Sequence, residues 1–333
     1  MNTAYVVLQG GAIRREGERL VVLSRGQPPT TLQTLGLEQL VIVGNPTLSC
    51  EAIDLLASQD IDTVLLTTNG RYRARIARSP AGNVRLRMAQ YALVGDEARC
   101  LPAARALVLA KIGNQRAFLL RVARKRAAPR LDVATRAMGA AARGAGLAES
   151  LDELRGFEGA AAAAYFKAFG AALLDERFHF ESRKRRPPPD PVNALLSFGY
   201  TLLLRRMESA AAIVGLDPFL GLLHTPEAGR PSLALDLIEP YRTPMVDALV
   251  VAAINKGAIR PEHFEDSGAG EPVVVTQEGT RAFVGLFAKR LEREVLDPAT
   301  GKRLPWRALL VEECRRLARY VLDGVLPRPY LAH

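Results

Sequence analysis

Four histidines occur in this chain, few enough that each can be weighed by its surroundings. His333 is the last residue. His179, in Arg177-Phe178-His179-Phe180, is expected to be a packed or hydrogen-bonded structural residue, and His263 lies in a polar run over 261–266. His224 differs: it follows Gly221-Leu222-Leu223 and precedes a Gly/Pro-rich turn over 225–231. Ser232 then reads as the N-cap of a helix over 233–239. On that helix Asp236 and Glu239 stand three apart and share a face. Their neighbours Leu233, Leu235, Leu237 and Ile238 are apolar, so two carboxylates there are costly without a counter-charge. Two solutions stay open on spacing alone: surface ion pairs with Arg230 or Arg242, or a divalent cation. One imidazole and carboxylates without cysteine suit Mn2+ or Mg2+ better than structural zinc. A third anionic ligand would be required, and Glu158, in Arg155-Gly156-Phe157-Glu158-Gly159, is the candidate. Its alternative role is a first-turn glutamate complementing a helix dipole.

These residues need a scaffold, and 333 residues suggest two domains. Hydrophobic residues make up 48% of the chain and mean hydropathy is +0.03, enough for a core and against whole-chain disorder. No apolar run spans a bilayer; the longest are cut by Lys167, by Arg205-Arg206 and by Asp247. The opening residues carry no basic segment of a signal peptide. Cys50, Cys100 and Cys314 lie far apart with no CxxC, which fits a reducing cytoplasm and no thiolate zinc site. A cytoplasmic protein with no membrane partner is therefore expected.

The net charge of +10 and pI near 9.8 favour a polyanionic partner, in the first place nucleic acid. An Arg-rich composition alone produces the same figure, so charge nominates a partner and no chemistry. Lys111, Arg116, Arg183, Lys184, Arg186 and Arg242 are the candidate DNA contacts, with Arg73 and Arg75 on a neighbouring strand.

Strand signals crowd the first eighty residues, at 3–8, 19–24, 40–44, 62–67 and 71–76. Asn69-Gly70 predicts a type I′ hairpin, and Tyr72, Ala74 and Ile76 alternate with Arg71, Arg73 and Arg75. Ser49 caps one helix over 50–58. A connector is expected over 81–90. Beyond it, helices are predicted around Val108–Val122 and over 158–174, 193–212, 243–255, 280–295 and 307–322. Pro187-Pro188-Pro189 stiffens a basic loop, with Asp190 or Asn193 available to cap the next helix. The expectation is an α+β chain. Residues 1–80 form a β-sandwich-like domain with one short helix, and 91–333 an all-α catalytic domain.

In order along the chain come Gly10-Gly11-Ala12, Leu48-Ser49, Asn69-Gly70-Arg71 and Ala110-Lys111-Ile112-Gly113-Asn114-Gln115-Arg116. Leu154-Arg155-Gly156-Phe157-Glu158-Gly159 with Tyr165-Phe166 follows, then Arg185-Arg186-Pro187-Pro188-Pro189-Asp190-Pro191-Val192-Asn193. Last are Leu223-His224 and the run from Ser232 to Arg242. In this order the segments resemble the CRISPR-associated spacer-acquisition integrases, the metal-dependent endonuclease/integrase subunit of CRISPR adaptation. The resemblance implies an N-terminal β domain that dimerises and a helical catalytic domain. It implies double-stranded DNA substrates, namely prespacer and CRISPR repeat. The implied assembly is a heterohexamer in which two homodimers flank a small ferredoxin-like partner. The family's metal triad falls on Glu158, His224 and Glu239, with Asp236 a nearby carboxylate. The reaction implied is transesterification by a DNA 3′-hydroxyl. From the residues alone, a non-enzymatic basic DNA-binding scaffold and a metal-dependent phosphodiesterase of small substrates compete with it.

Overall fold

The structure is a computed structural model describing residues 2–77, 83–126, 128–184, 187–265 and 272–332. Six strands come first: β1 (Thr3–Leu8), β2 (Ala12–Glu16), β3 (Arg19–Leu23), β4 (Thr30–Gln33), β5 (Gln39–Gly44) and β6 (Thr47–Leu48). Helix α1 (Cys50–Ser58) and strands β7 (Asp62–Leu66) and β8 (Tyr72–Ile76) follow. They form two four-stranded sheets, ordered β1-β5-β7-β8 and β4-β3-β2-β6. In the first, β1, β5 and β7 run parallel and β8 is antiparallel. All six residues of β5 are buried, as a strand covered on both faces requires. Side-chain alternation divides them: Leu40 and Ile42 join Leu8, Ile13, Leu20, Leu55 and Leu56 between the sheets, while Val41 and Val43 join the helical core. Ser49 caps α1 as expected, its Oγ accepting from Ala52 N at 3.2 Å.

The β7–β8 hairpin forms, but not through a type I′ turn. Gly70 (φ 73°) has positive φ and Asn69 does not. Gly70 N donates to Thr67 O at 2.9 Å, and a left-handed glycine then closes a longer loop. The turn is pressed onto a helix: a Cβ at Gly70 would lie 2.3 Å from Phe198 Cδ2. The expected apolar face of β8 is not buried either, since Tyr72 and Ala74 are exposed.

Helices dominate the rest: α2 (Val84–Val94), α3 (Glu97–Ala123), α4 (Pro129–Leu147), α5 (Leu151–Phe169), α6 (Pro191–Val214) and α7 (Ser232–Tyr241). A π-helical stretch, Arg242–Asp247, leads into α8 (Ala248–Asn255). Strands β9 (Phe264–Glu265) and β10 (Val274–Val275), helix α9 (Gln277–Glu292), strands β11 (Glu294–Leu296) and β12 (Arg303–Pro305), and helix α10 (Trp306–Asp323) complete the chain. The chain is thus mixed α+β, with N-terminal sheets and a helical C-terminal part. That part is not all-α, because β9 pairs β10 and β11 pairs β12. Asp297 closes the turn of the second ribbon, its carboxylate accepting from Ala299 N (3.1 Å) and Thr300 Oγ1 (2.7 Å), and α9 ends before it at Glu292.

The expected connector over 81–90 is helical from Val84, since Asn83 caps α2 and buries Leu86, Gln90 and Leu93; residues 78–82 lie outside the described residues. Helix α5 starts at Leu151, capped by Ser150, so Glu158 sits two turns inside and the first-turn role falls away. Asp190 caps α6, accepting from Asn193 N at 2.8 Å. Sheet and helices share polar contacts. Arg206 on α6 donates to Thr3 Oγ1 at 2.5 Å and to Gln39 Oε1 at 3.2 Å, and Tyr5 meets Phe287 edge-on.

Candidate active site

Helix α7 opens without a side-chain cap; Pro231 holds that position, and the expected cap Ser232 instead donates its hydroxyl to Thr225 O at 3.1 Å. Leu233 N and Ala234 N are taken by the Pro218 carbonyl, which fixes the helix against the preceding loop. That loop wraps around Asp236, which is fully buried. Asp236 Oδ2 accepts from Leu222 N (2.6 Å) and Leu223 N (2.9 Å), and Oδ1 accepts from His224 N (3.0 Å). The same Oδ1 lies 2.5 Å from His224 Nδ1. A side chain at Gly221 would not fit, because its Cβ would lie 2.6 Å from His224 O and 3.0 Å from Asp236 Oδ2. Arg155 on α5 secures the other side, Nε donating to Leu223 O at 2.8 Å. Asp236 is therefore fully engaged in holding the loop and orienting the imidazole, leaving Nε2 of His224 as the free ring nitrogen.

Glu239, one turn further on α7, faces a different set. Lys111 of α3 pairs with both Glu158 of α5 and, at 2.5 Å, Glu239 Oε2. Arg242 Nε lies 3.2 Å from Glu239 Oε1. Burial works against the charge on Glu239, yet Arg242, then Lys111 and His224, outweigh it and lower its carboxyl to about 2. Oε2 is buried, with the Lys111 ammonium as its ion-pair partner. The site is closed at its base and open above: Glu158 and His224 side chains keep 24% and 28% exposure.

Two members of the expected triad are thus brought to one cation position, and the third is held on the neighbouring loop. Among the described residues, no three His, Cys, Asp or Glu side chains are grouped as a metal site, and Lys111 pairs with both glutamates. The donors still fit a hard divalent ion: two carboxylates that already share one cation, with Glu239 Oε2 held by charge and not by a directed hydrogen bond, and an imidazole oriented through its other nitrogen.

The basic candidates fare unequally. Lys111 is buried in the cluster just described and is not a surface contact. Arg116 and Lys184 are exposed, and Arg116 also donates to Thr135 O at 3.1 Å. Arg183 donates to Asn193 Oδ1 (2.9 Å) and Ser197 Oγ (3.0 Å). Arg186, with Arg185, lies outside the described residues. Arg75 is taken by Asp62 at 2.5 Å, whereas Arg73, hydrogen-bonded to Asn45 Oδ1 at 2.8 Å, stays exposed and keeps its charge. A groove of about 760 Å³ adjoins the site, walled by the β7–β8 turn with Arg71 and Tyr72, and by Arg183, Tyr200, Arg205 and Arg242. Arg183 and Arg242 lie over the Tyr200 ring at 5.4 and 4.7 Å. Arg242 belongs to both groove and cluster.

Of the other histidines, His263 is buried in a local hydrogen bond from Arg260 N (3.3 Å), His179 is exposed instead of packed, and His333 lies outside the described residues. Sequence reasoning missed Asn114, whose amide nitrogen donates to Pro240 O (2.7 Å) and Tyr330 O (2.9 Å), tying the end of α7 to the C-terminal segment. Its signal was spacing: Lys111 and Asn114 are three apart on one helix. All three cysteines are free, and no described helix is long and apolar enough to cross a membrane.

Fold and site together define an α+β protein whose polar centre is assembled by three helices and a loop. The family profile for CRISPR associated protein Cas1 matches residues 4–289. The chain is 36% identical over 330 residues to CRISPR-associated endonuclease Cas1 3 of Thermus thermophilus, covering 98% of this chain and 96% of that protein. It is 37% identical over 352 residues to CRISPR-associated endonuclease Cas1 2 of Rhodospirillum rubrum, covering 98% of each. Among solved structures, a casposase bound to integration product superposes with a TM-score of 0.84 at 25% identity, over 97% of this chain and 91% of that one. The chain belongs to the Cas1 family, the CRISPR adaptation integrases.

Proposed function

We propose that this chain is a divalent-metal-dependent DNA endonuclease and integrase that inserts spacer DNA into a CRISPR array. The observation that carries the reading is the convergence of Glu158 and Glu239, from separate helices, on one cation position beside a histidine oriented by Asp236. Glu158, Glu239 and His224 would hold Mg2+ or Mn2+. Bound there, the ion supplies charge neutralisation at the transferring phosphoryl group and lowers the pKa of the attacking hydroxyl. The protein's own groups prepare that chemistry. Arg242 and Lys111 keep Glu239 ionised, and Asp236 holds Nδ1 of His224, which leaves Nε2 as the ring nitrogen to serve as ligand. In strand transfer the 3′-oxygen of the incoming DNA forms the new P–O bond and a 3′-oxygen of the repeat strand leaves. Water in the same position gives endonucleolytic cleavage. No covalent protein nucleophile is needed.

The groove beside the site, with arginines against tyrosine rings, suits a DNA strand whose phosphates meet guanidinium and whose bases stack. Exposed Lys184, next to Arg183 of the groove wall, and exposed Arg116 on α3 are further candidate phosphate contacts. With 6 to 10 phosphate contacts, affinity would fall by roughly 10³-fold or more between 50 and 200 mM salt. The family resemblance supports a homodimer formed through residues 1–80, with 91–333 as catalytic unit, and a heterohexamer with a small ferredoxin-like partner. Similarity to a casposase bound to its integration product supports the strand-transfer half of the reading.

Glu158→Ala, His224→Ala and Glu239→Ala should each abolish integration into a supercoiled repeat-bearing plasmid while the protein stays folded. Normal product from any of them would remove that residue from the triad. A second reading, a non-enzymatic DNA scaffold, draws on the mutual charge balance of Glu158 and Glu239 with Lys111 and Arg242. EDTA separates the two: it should stop integration, and under the scaffold reading it would change nothing. Turnover of a nucleotide ester without affinity for duplex DNA would favour a small-substrate phosphodiesterase instead.

A further inference from the structure

Lys111 is an unusual occupant for the centre of a site that binds cations. Its ammonium is buried, 8% exposed as a residue, and pairs with both glutamates. Arg242 completes the set on Glu239. Two negative and two positive charges therefore cancel before any metal arrives. A divalent ion entering between Glu158 and Glu239 must displace the ammonium from the oxygens it shares. It also leaves these four side chains with a surplus of two positive charges in a poorly solvated space, of which the Asp236 carboxylate behind His224 offsets one at most. Such a surplus is costly unless an anion joins. The displaced ammonium remains tethered to α3 and cannot leave the cleft, and the open side toward Glu158 and His224 is where a DNA phosphate would enter.

We infer that Lys111 is the resident counter-ion of the metal-free site: it competes with the divalent ion for Glu158 and Glu239, and once displaced it pairs with a DNA phosphate. This rests on the ligand assignment proposed above and deepens it. Two consequences follow from linkage. Metal binding alone is weakened by the competitor. Metal and DNA then strengthen each other, by equal factors in either order of addition. Lys111 is in this sense a positioning residue whose charge changes partner between the two states.

The test reads Mn2+ affinity by the electron paramagnetic resonance signal of the free ion. It compares the full-length chain with Lys111→Met, Lys111→Arg and Glu158→Gln, with and without a short duplex ending in 3′-dideoxynucleotides. Without DNA, Lys111→Met should bind Mn2+ about tenfold more tightly than the parent, the equivalent of one charge-assisted contact removed. The duplex should raise Mn2+ affinity several-fold in the parent and leave Lys111→Met unchanged, while Lys111→Arg retains the dependence on DNA. Parent affinity above that of Glu158→Gln, with Lys111→Met equal to or weaker than the parent, would overturn the inference and spare the ligand assignment. Equal Mn2+ affinity in the parent and Glu158→Gln would sink the ligand assignment and the inference with it. Thermal melting of each variant guards against misfolding. Should Lys111→Met fail to fold, Lys111→Gln takes its place and the same comparison decides.

Discussion

Glu239 and Asp247 are buried carboxyl groups on one continuous stretch of chain, and the protein treats them in opposite ways. Glu239 is surrounded by charges, Arg242, Lys111 and His224, which overcome burial and lower its carboxyl to about 2. Asp247 meets hydroxyl groups: Tyr165 and Tyr200 donate at 2.8 and 2.5 Å, and Thr243 at 2.9 Å. There burial outweighs all three hydrogen bonds and raises the carboxyl above its ordinary range. The difference separates function from framework. Cations around Glu239 can be exchanged for another cation, whereas hydroxyls around Asp247 lock the π-helical turn to α5 and α6 and offer nothing to exchange. The two sets meet at Tyr200, whose hydroxyl serves Asp247 and whose ring lies under Arg242.

Exchanging the charge at each position should break this contrast if it is wrong. Glu239→Gln should lower integration by about 10²- to 10³-fold, the scale on which a single electrostatic contributor to a transition state is removed. Its urea midpoint should fall too, because Arg242 and Lys111 are left with Glu158 as the single compensating carboxylate of the cluster, but the variant should stay folded at assay conditions. A large loss of stability with retained integration would place Glu239 in the framework. Asp236→Asn sharpens the same comparison within α7. It leaves the backbone bonds to Leu222 and Leu223 largely intact but disturbs the His224 ring, and a plasmid integration assay should record a loss of about 10- to 100-fold. Asp247→Ala should act on the fold instead. Three buried hydroxyls lose their acceptor, at about 1 to 3 kcal/mol for an unsatisfied group. Urea unfolding should record a total near 3 kcal/mol, because the losses share one site and do not add. An unchanged midpoint would show that the hydroxyls find other partners.

Much of this was written in local sequence. Helix α1 and its Ser49 cap, the Asp190 cap of α6, and the Asp236/Glu239 pairing are consequences of spacing over a few residues, where propensity and capping speak clearly. What spacing could not supply was which side of a helix meets which neighbour. Lys111 looks like any lysine of a basic amphipathic helix, and becomes a buried counter-ion only because α5 and α7 cross α3 at that turn. Arg75 looks free until Asp62 and Glu208 arrive on either side of it. Asp236 and Glu239 share a face, yet one turns into the loop of its own preceding residues and the other toward α3. The Gly221 position gave a signal that went unused: a glycine three residues before a candidate histidine marks a backbone that must approach another group closely. Helices α2 and α4 were missed because one has little amphipathic contrast in its short span and the other opens on proline rather than on a capping side chain.

A third buried carboxyl extends the comparison to where titration can be followed under mild conditions. Glu313 on α10 accepts from the Tyr241 hydroxyl at 2.7 Å, and Arg316 Nη1 lies 3.4 Å from the same oxygen. The second carboxyl oxygen has no partner. Burial pushes Glu313 up to about 7 against the pull of Tyr241 and Arg316, with the nearby Asp297 adding to the rise. Because the folded value exceeds the unfolded one, the folded state holds the extra proton between about pH 4.5 and 7, and this group's contribution to stability falls as pH rises through that window. The slope from one such group cannot exceed about 1.4 kcal/mol per pH unit. Glu313→Gln cannot lose the proton, so it should flatten the decline while keeping an acceptor for Tyr241. Urea unfolding at intervals from pH 4.5 to 8 should show the variant gaining on the parent toward the alkaline end. Parallel curves would mean that Arg316 holds Glu313 ionised throughout, which would align it with Glu239 and its cations instead of with Asp247.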